Sequence, residues 1–357
     1  MNKIDKWRLD DCKLVWHMDR IHKHYVLGKR IMPILIDIGI TKLCNIKCEY
    51  CYGIFQKMTG DMIPADKLIA LFRDAPKIGV KAIAIVGDGE PTLHPALYTA
   101  ILAGAEGGLD MGMATNGVKI DEDQMITLLN NLTWLRFTVS AVGEGYEIVH
   151  GKPYWDIVRK NIERAVRIKK RLNLPVTIGL QMVLTPNAFK YVVDESKFAV
   201  AAGVDYFVIK QYSDPLCDKM PSVVAGWYDT KEVQDTLHQV EMLSTFETRI
   251  IPKYQAIEWT KKRPYDHCAD VPLLFQVSGD GKCYPCGYLF GDERYCYGDL
   301  KKHSLGEILE SEHYWKIIKY MQTEFDVHKD CAGACRHNAT NRFINEFINK
   351  PEHINFI

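Results

Sequence analysis

The sequence predicts an α/β fold, namely a partial (β/α)6 TIM-like barrel followed by a cysteine-rich module. Short apolar runs alternate with longer amphipathic runs between residues 32 and 212, which is typical of parallel strands joined by helical crossovers. Six of the 11 cysteines then fall within residues 263–336, where glycine and proline are frequent and regular periodicity is weak. Such a segment is typical of a small module that metal holds together.

The barrel segment contains six strand candidates with helices between them. The strands are expected at residues 32–39, 82–86, 112–115, 135–140, 176–183 and 206–210. The helices are expected at residues 65–74, 95–106, 121–130, 155–171 and 188–202. Six strand–helix units are two short of a complete eight-stranded barrel, and in parallel barrels the chemistry lies at the C-terminal ends of the strands. The residues that follow each strand are therefore the first candidates for function.

The rest of the chain flanks this barrel. The predicted segments are an N-terminal extension (1–31), the barrel (32–212), a connector with one helix near 230–243 (213–262), the cysteine-rich module (263–336) and a C-terminal tail (337–357). The apolar core of the module is expected to be thin, so metal ligation would contribute much of its stability.

Composition argues against several classes of partner. Lys and Arg total 45 and Asp and Glu total 45, so the formal net charge is +0 and gives no support for binding nucleic acid or an acidic membrane. No run approaches the roughly 18 apolar residues of a membrane span, and the polar N-terminus lacks the apolar centre of a signal peptide. We therefore expect a cytoplasmic protein. In that reducing compartment clustered cysteines indicate metal or redox chemistry rather than disulfides.

Three cysteines directly follow the first predicted strand. Cys44, Cys48 and Cys51 have the spacing C-x3-C-x2-C on one short loop. Thiolates prefer iron–sulfur clusters or zinc to hard metals, and three of them can bind three irons of a four-iron cluster and leave the fourth iron open. A structural zinc site normally needs four protein ligands, and the sequence near this loop offers no further Cys or His. Zinc is therefore the weaker alternative.

This loop, with Tyr50 before the third cysteine, resembles the signature of the radical S-adenosylmethionine (SAM) superfamily. The resemblance covers residues of about 32–211. It implies a catalytic [4Fe–4S] cluster whose open iron binds the amino and carboxylate groups of SAM. Reductive cleavage of SAM then yields methionine and a 5′-deoxyadenosyl radical that abstracts a substrate hydrogen. An external electron donor such as flavodoxin or ferredoxin is implied as well.

Residues at other strand ends fit the same resemblance. The turn at 87–91 is similar to the family's G-G-E-P motif with aspartate in place of the second glycine, and the sequence at 115–117 resembles its T-N-G turn. Many relatives carry an arginine after the fourth strand, where this chain has His150 and Gly151. An ordinary turn at 116–117 and simple packing of Gln181 are the alternatives. The resemblance implies that SAM is bound by Gly87, Asp88, Gly89, Glu90, Pro91, Asn116, Ser140 and Gln181.

The cysteines beyond residue 263 form a second group. A hairpin segment at 279–286 ends in Tyr-Pro-Cys, and a late C-x3-C pair follows. This arrangement resembles the SPASM and twitch modules of the same superfamily, which hold auxiliary [4Fe–4S] clusters. The reduced number of late cysteines favours one such cluster. The expected ligands are Cys268, Cys286, Cys331 and Cys335.

Two neighbouring cysteines leave the ligand set open. Cys283 could replace Cys286, and Cys283, Cys286 and Cys296 together could form a three-cysteine site with an iron open to substrate. A zinc knuckle is a further alternative. Cys12 and Cys217 are expected to be unligated, although Cys217 follows the sixth strand and could lie near the active site.

Three function classes compete. We expect an enzyme that oxidises, dehydrates or epimerises a small polyol, sugar or aminocyclitol, because the form with one auxiliary cluster resembles aminoglycoside-pathway dehydrogenases and dehydratases. That cluster would accept an electron from the substrate radical. Maturation of a ribosomal peptide is the second class, and it usually requires a leader-binding domain, whereas residues 1–31 alone precede the first strand. A non-catalytic iron–sulfur or zinc protein is the third.

Overall fold

A computed structural model describes residues 7–9, 12–51, 58–212, 226–254, 263–331 and 335–356. Its strands are β1 Leu35–Ile38, β2 Ala82–Ile85, β3 Asp110–Thr115, β4 Trp134–Thr138, β5 Thr177–Leu184, β6 Tyr206–Gln211, β7 Arg249–Pro252, β8 Leu274–Val277, β9 Lys282–Tyr284 and β10 Gly298–Asp299. They form one sheet in the order β10-β9-β8-β1-β2-β3-β4-β5-β6-β7. Strands β1 to β6 are each parallel to the next, as the sequence predicts for a partial barrel.

Helices connect the strands and cover the outer face of the sheet. The described helices are α1 Met18–Ile21, α2 Ala65–Asp74, α3 Leu97–Glu106, α4 Glu122–Asn131, α5 Gly145–His150, α6 Trp155–Leu172, α7 Pro186–Phe189, α8 Val192–Ala202, α9 Lys231–Glu241, α10 Leu305–Glu310, α11 Glu312–Thr323 and α12 Asn338–Ile348. The start of α4 shows how local sequence fixes a boundary, because Asp121 accepts a hydrogen bond from the Gln124 N–H and Gln124 returns one. This reciprocal capping box satisfies two otherwise unpaired donors. Within the described ranges, no helix is long and apolar enough to cross a membrane.

Alternation along each strand separates an outer apolar core from the barrel interior. On β6, Phe207 and Ile209 belong to the large apolar core together with residues of the covering helices. The alternate positions, Tyr206 and Val208, belong to a separate inner cluster. Because successive strand side chains point to opposite faces, Lys210 faces the interior with Tyr206 and Val208. The same alternation sends polar side chains from several strands toward the barrel mouth.

Two further parallel strands extend the six that the sequence predicts. Strand β7, inside the predicted connector, pairs with β6, and β8, inside the cysteine-rich module, pairs with β1. Both strands are four residues long, and both lie outside the segment in which strands and helices alternate, so pattern alone does not separate them from loop. The pairing of β8 with β1 joins the module directly to the barrel sheet.

The cysteine-rich module has a larger apolar core than the sequence analysis expects. Phe275, Tyr297 and Tyr314 are buried, and their rings contact one another at centroid distances of 4.7–6.1 Å. These side chains belong to the same apolar core as the barrel. The expectation of a thin core was wrong because α10 and α11 follow the hairpin and supply apolar faces. Cys217 lies outside the described residues.

Candidate active site

A cavity of about 620 Å³ opens at the C-terminal ends of β1 to β4. The predicted cluster loop and the turn after β2 form two of its walls, and the end of β3 and Thr138 of β4 contribute a third. All three cysteines of the C-x3-C-x2-C motif lie on its surface, at Cys44, Cys48 and Cys51. The cavity therefore brings together the motifs that sequence reasoning placed at consecutive strand ends.

The three cysteines of the cluster loop all line this cavity. Cys44 is exposed, and Cys48 and Cys51 are half-buried. Although Cys44 is exposed as a residue, partial desolvation of its sulfur in the cavity and the charges of Glu90 and Cys51 raise the pKa of Cys44 to about 11. Burial together with the charges of Cys51 and Cys44 raises the pKa of Cys48. No three Cys, His, Asp or Glu side chains in the described ranges converge as the ligands of one metal ion do. Each thiolate of a four-iron cluster binds a different iron, so this donor set fits such a cluster.

The end of helix α5 holds the cluster loop in place. The Lys47 N–H donates to the His150 carbonyl at 3.0 Å, and the Glu49 N–H donates to the Val149 carbonyl at 2.9 Å. These carbonyls lie in the last turn of the helix, where no intrahelical donor is available. Gly151 ends the helix at φ +71°, and a Cβ at that position would lie 2.8 Å from the Lys47 carbonyl oxygen. The loop therefore packs against a helix end that requires glycine.

His150 adds a side-chain contact to a cysteine of the loop. The Ser140 N–H donates to His150 Nε2 at 3.0 Å, and His150 Nδ1 lies 3.1 Å from the Cys48 sulfur. Because Nε2 accepts, the neutral ring carries its proton on Nδ1 and donates to Cys48. Burial lowers the pKa of His150 to about 3, and the Tyr146 ring stacks on it at 4.2 Å. The ring is thus fixed in one tautomer against a predicted cluster ligand.

Glu90 organises the turns that border the cavity. Its Oε1 accepts from the Thr92 N–H and hydroxyl and from the Thr115 hydroxyl at 2.6–3.1 Å, and its Oε2 accepts from the Asn116 N–H at 2.7 Å. The Asn116 amide in turn donates to the Asn45 side chain of the cluster loop at 2.6 Å. Burial raises the pKa of Glu90. Because a carboxylate oxygen can accept two hydrogen bonds, Oε2 retains room for a donor on a ligand.

Asp88, which replaces the second glycine of the motif, points away from the cavity toward the C-terminal module. Its carboxylate accepts from the Ser278 hydroxyl at 3.0 Å and from the Gly279 N–H at 3.1 Å. Lys42 lies 3.9 Å from the same carboxylate and 3.3 Å from Asp280. The side chain of Asp88 therefore joins the hairpin after β8 to the barrel, although the residue also borders the cavity.

The remaining predicted SAM contacts are distributed over the same barrel face. Gly87 and Gly89 adopt φ +148° and +73°, and Gly89 approaches the Thr41 carbonyl so closely that a Cβ would lie 2.1 Å from its oxygen. Pro91 borders the cavity. Ser140 is buried, and its hydroxyl oxygen accepts from the Val183 N–H at 3.0 Å. Gln181 is buried at the register position opposite Thr138. Their roles in cofactor binding stay predictions.

The four predicted auxiliary ligands come from three separate segments and approach one another. The pKa of Cys335 is raised by its hydrogen bond to Cys331, by burial, and by the charges of Cys286, Cys331 and Cys268. The pKa of Cys331 is lowered to about 6 by the same hydrogen bond and by the nearby Arg263 guanidinium. A positive group beside neighbouring thiols favours the thiolate form that iron requires. This donor set fits an auxiliary cluster.

A buried hydrogen-bond network leads from Cys268 toward the barrel interior. The Asn341 amide donates to the Cys268 sulfur at 3.6 Å and to Asp270 at 2.9 Å. His337 Nδ1 donates to Asp270 at 3.2 Å, and the Gln276 amide of β8 donates to His337 Nε2 at 2.9 Å. Gln276 is the register partner of Asp37 in β1. The predicted auxiliary site is therefore connected to the strand that precedes the cluster loop.

Cys283 and Cys296 have different surroundings from the four predicted auxiliary ligands. Cys283 is fully buried in the apolar core. Burial raises its pKa, and the charges that raise it further are those of Cys296, Asp299 and Asp280. The sulfur of Cys296 lies 3.5 Å from the Gly298 carbonyl. This arrangement favours Cys283 as a packing residue, and its exclusion from the ligand set stays a prediction.

Sequence reasoning missed three residues of the site. Thr138 borders the cavity at the end of β4, and it could have been found because the last residue of a barrel strand is a candidate for function. Lys152 also borders the cavity, directly after the helix end that holds the cluster loop. His150 was noted for the absence of an arginine, whereas its contact with Cys48 depends on the fold.

Two family models match the chain. The model described as the radical SAM superfamily matches residues 38–187, and the SPASM model, described as an iron–sulfur cluster-binding domain, matches residues 272–336. The tungsten-containing aldehyde ferredoxin oxidoreductase cofactor-modifying protein of Pyrococcus furiosus is 23% identical over 295 residues, which cover 78% of this chain and 81% of that protein. A GTP 3′,8-cyclase of Campylobacter fetus is 22% identical over 283 residues, with coverages of 75% and 85%.

Solved structures share the fold. Streptococcus suis SuiB bound to SAM superposes with a TM-score of 0.62 at 14% identity and covers 86% of this chain and 72% of its own. The structure of anSMEcpe with bound SAM gives a TM-score of 0.59 at 18% identity, with coverages of 88% and 96%. Identities this low establish the architecture and leave the substrate open.

These matches confirm the predicted barrel with its C-terminal module and the predicted cofactors. A radical SAM domain uses a [4Fe–4S] cluster and SAM and needs an electron donor, and a SPASM domain adds iron–sulfur binding. The alternative of a non-catalytic iron–sulfur or zinc protein is thereby wrong. The chain therefore contains a radical SAM domain at residues 38–187 and a SPASM domain at residues 272–336, and it matches a radical SAM enzyme with a C-terminal SPASM module.

Proposed function

We propose that this enzyme abstracts a hydrogen atom from a small hydroxylated molecule such as a polyol, sugar or aminocyclitol, which is then oxidised, dehydrated or epimerised. The observation that carries the proposal is the cavity of about 620 Å³ into which the three thiols of the cluster loop open. Cavities of roughly 300–1,000 Å³ are typical of small-molecule sites. A concave site at the barrel mouth also limits the access of water to a reactive radical.

Cys44, Cys48 and Cys51 would hold the catalytic cluster in this proposal. When bound, the cluster supplies the electron that cleaves SAM to methionine and a 5′-deoxyadenosyl radical. The main chain at 87–91 would border the methionine part of SAM, with Glu90 Oε2 available to its amino group. Asn116 would hold the cluster loop in position through its hydrogen bond to Asn45. Ser140, which follows β4, and Gln181 of β5 would contact SAM from the neighbouring strands.

The auxiliary cluster would be held by Cys268, Cys286, Cys331 and Cys335. Four thiolates leave no open iron, so this cluster would serve as a one-electron acceptor rather than a substrate ligand. Flavodoxin or ferredoxin is the proposed donor to the catalytic site. A reducing cytoplasm is part of the proposal, since the seven thiols must remain unoxidised to bind iron.

The curated relatives favour a small substrate over a peptide. GTP 3′,8-cyclase acts, by its name, on GTP, and the Pyrococcus furiosus protein modifies a cofactor. SuiB has also been solved with its precursor peptide, but that likeness concerns the fold alone. Peptide maturation is therefore an outcome of the test below rather than a second proposal.

The proposal is tested by deuterium transfer. The anaerobically reconstituted enzyme is incubated with SAM, dithionite and deuterated polyols, sugars, aminocyclitols or peptides, and 5′-deoxyadenosine is analysed by mass spectrometry. Deuterium in 5′-deoxyadenosine from one hydroxylated small molecule is the expected result. The variant lacking Cys44, Cys48 and Cys51 should form none, whereas Cys12→Ser, a matched control outside both predicted sites, should behave as wild type. Deuterium transfer from peptides alone would replace the proposal with peptide maturation.

A further inference from the structure

The turn between β8 and β9 packs against the chain segment that leads into the cluster loop. This turn, residues 278–281, contains the Gly-Asp-Gly sequence of the hairpin, and the Gly281 N–H donates to the Ser278 carbonyl at 2.8 Å. The other segment, residues 39–43, begins directly after β1 and ends directly before Cys44. We call these the module turn and the lead segment. Their contact joins the C-terminal module to the catalytic part of the barrel.

Main chain meets main chain at this contact. A Cβ on Gly279 would lie 2.5 Å from the Thr41 carbonyl oxygen and 2.8 Å from the Lys42 nitrogen. From the other side, a Cβ on Gly39 would lie 3.2 Å from the Gly279 nitrogen. Gly279 does not adopt a positive φ, so glycine is required there by the close approach and not by backbone conformation. A methyl group at 279 would therefore act by displacing the lead segment.

Charged side chains strengthen the same contact. Lys42 of the lead segment lies 3.3 Å from Asp280 of the module turn and 3.9 Å from Asp88 of the turn after β2. The side chains of Lys42 and Asp88 are buried, and that of Asp280 is 24% exposed. Ion pairs with little solvent access are screened less than surface pairs. One ammonium thus connects the module, the lead segment and the barrel.

The lead segment is held at both of its ends. The Gly39 N–H donates to the Val277 carbonyl of β8 at 2.8 Å, and the Glu90 N–H donates to the Leu43 carbonyl at 2.7 Å. The segment also forms part of the wall of the 620 Å³ cavity, and Cys44 follows it. Because closely packed interiors transmit strain, a shift of the lead segment would move both the first cluster thiol and the cavity wall.

We propose that the module turn positions the catalytic cluster and SAM, with Gly279 acting through its approach to the lead segment and Asp280 acting through Lys42. In the part of the chain that the structure describes, neither turn residue borders the cavity, so both act indirectly. The inference rests on Cys44 as a cluster ligand, and it goes beyond the proposed function because it holds for any substrate. Since β8 pairs with β1, the module turn should keep its place when only the auxiliary ligands are replaced.

The test measures SAM binding by the complete enzyme. Full-length protein with reconstituted clusters is titrated with SAM by equilibrium dialysis in the oxidised state, and reduced samples with and without SAM are compared by EPR. Asp280→Asn removes the charge beside Lys42 at nearly constant size and should weaken SAM binding about 2- to 10-fold. Gly279→Ala should weaken it about 10- to 100-fold and alter the SAM-dependent change in the EPR spectrum. Iron content should equal that of wild type in both variants.

Two matched controls lie in the same module. Gly306→Ala adds a methyl group where a Cβ meets nothing within 4 Å. Asp292→Asn removes a carboxylate that pairs with Arg294 at 2.6 Å. Both controls should bind SAM as wild type does and give its EPR spectra.

Two results would overturn the inference. Wild-type SAM affinity and EPR spectra in both test variants, with only a lower thermal midpoint, would mean that the contact serves packing alone. Equal weakening of SAM binding by the controls would mean that the effect is not specific to the module turn. If Gly279→Ala does not fold, Asp280→Asn and its control decide the question. None of these readouts needs a substrate, so a negative deuterium-transfer result would contradict the proposed function and leave this inference standing.

Discussion

The two groups of cysteines are assembled in opposite ways. Cys44, Cys48 and Cys51 lie on one loop directly after β1, and main-chain contacts from Glu90 and from the end of α5 fix that loop. The four auxiliary cysteines come from three segments that become neighbours only when α11, α12 and the hairpin after β8 pack together.

This difference indicates which contacts hold the cysteines of each predicted site in place. The cluster loop is held by hydrogen bonds from the barrel, so its geometry depends on close backbone approaches. The predicted auxiliary site is flanked by a buried polar network and by an apolar core shared with the barrel. Damage to the first region should therefore affect one site specifically, whereas the second should tolerate changes that leave its ligands in place.

The largest effect is expected from adding a methyl group at Gly89, next to the cluster loop. Gly89 and Gly108 share φ +73°, but a Cβ on Gly89 would lie 2.1 Å from the Thr41 carbonyl oxygen, whereas a Cβ on Gly108 meets nothing within 4 Å. Gly89→Ala should cost about 2–5 kcal/mol of unfolding free energy and reduce iron at the catalytic site. Gly108→Ala should cost about 1–2 kcal/mol and leave iron unchanged. Equal losses in chemical denaturation would contradict this account.

A pH-dependent effect is expected where the barrel meets the module. Burial raises the pKa of Asp88, and a carboxyl with a raised folded-state pKa contributes stability that is full below its unfolded pKa of about 3.9 and is lost as the pH rises through the folded value. Asp88→Asn keeps an acceptor for Ser278 and Gly279 without the charge. The unfolding free energy of wild type relative to Asp88→Asn should therefore fall as the pH rises above about 4. If the difference in unfolding free energy between the two proteins did not depend on pH, burial would not destabilise the charged form of Asp88.

A smaller effect is expected at the sulfur of Cys48. The Nδ1–H of His150 donates to this sulfur, and a hydrogen bond to a cluster ligand favours the more negative, reduced cluster. His150→Phe should lower the midpoint potential of the catalytic cluster by about 20–60 mV, which corresponds to one hydrogen bond of about 0.5–1.5 kcal/mol. His94→Phe removes a buried imidazole that bonds to the Ile63 carbonyl and should leave the potential unchanged. Equal potentials in wild type and His150→Phe, measured by redox titration with EPR, would exclude the contact as a tuning element.

The smallest effect is expected at Cys283. Because this residue packs in the apolar core, Cys283→Ala should cost about 1 kcal/mol and leave the auxiliary iron content unchanged. Cys286→Ala, its matched partner in the same hairpin, should lower that iron content. Loss of auxiliary iron in Cys283→Ala would instead favour the alternative site formed by Cys283, Cys286 and Cys296.

The same contrast explains what the sequence could predict. The C-x3-C-x2-C loop, the turn at 87–91 and the six strands are local patterns, and the fold has them at the expected places. The pairing of β8 with β1 and the contact between His150 and Cys48 join residues far apart in the chain, and no periodicity encodes them. Asp88 was noted as a departure from the motif, and its contact with Ser278 gives the physical reason.

The most direct test of the central claim counts iron in two variants of the complete chain. Replacing Cys44, Cys48 and Cys51 with Ala should remove about four irons, leave about four in a [4Fe–4S] cluster and abolish 5′-deoxyadenosine formation. Replacing Cys331 and Cys335 should remove the other four and leave SAM cleavage by chemically reduced enzyme intact. Persistent SAM cleavage in the first variant, or loss of all iron in either one, would contradict two independently assembled cluster sites.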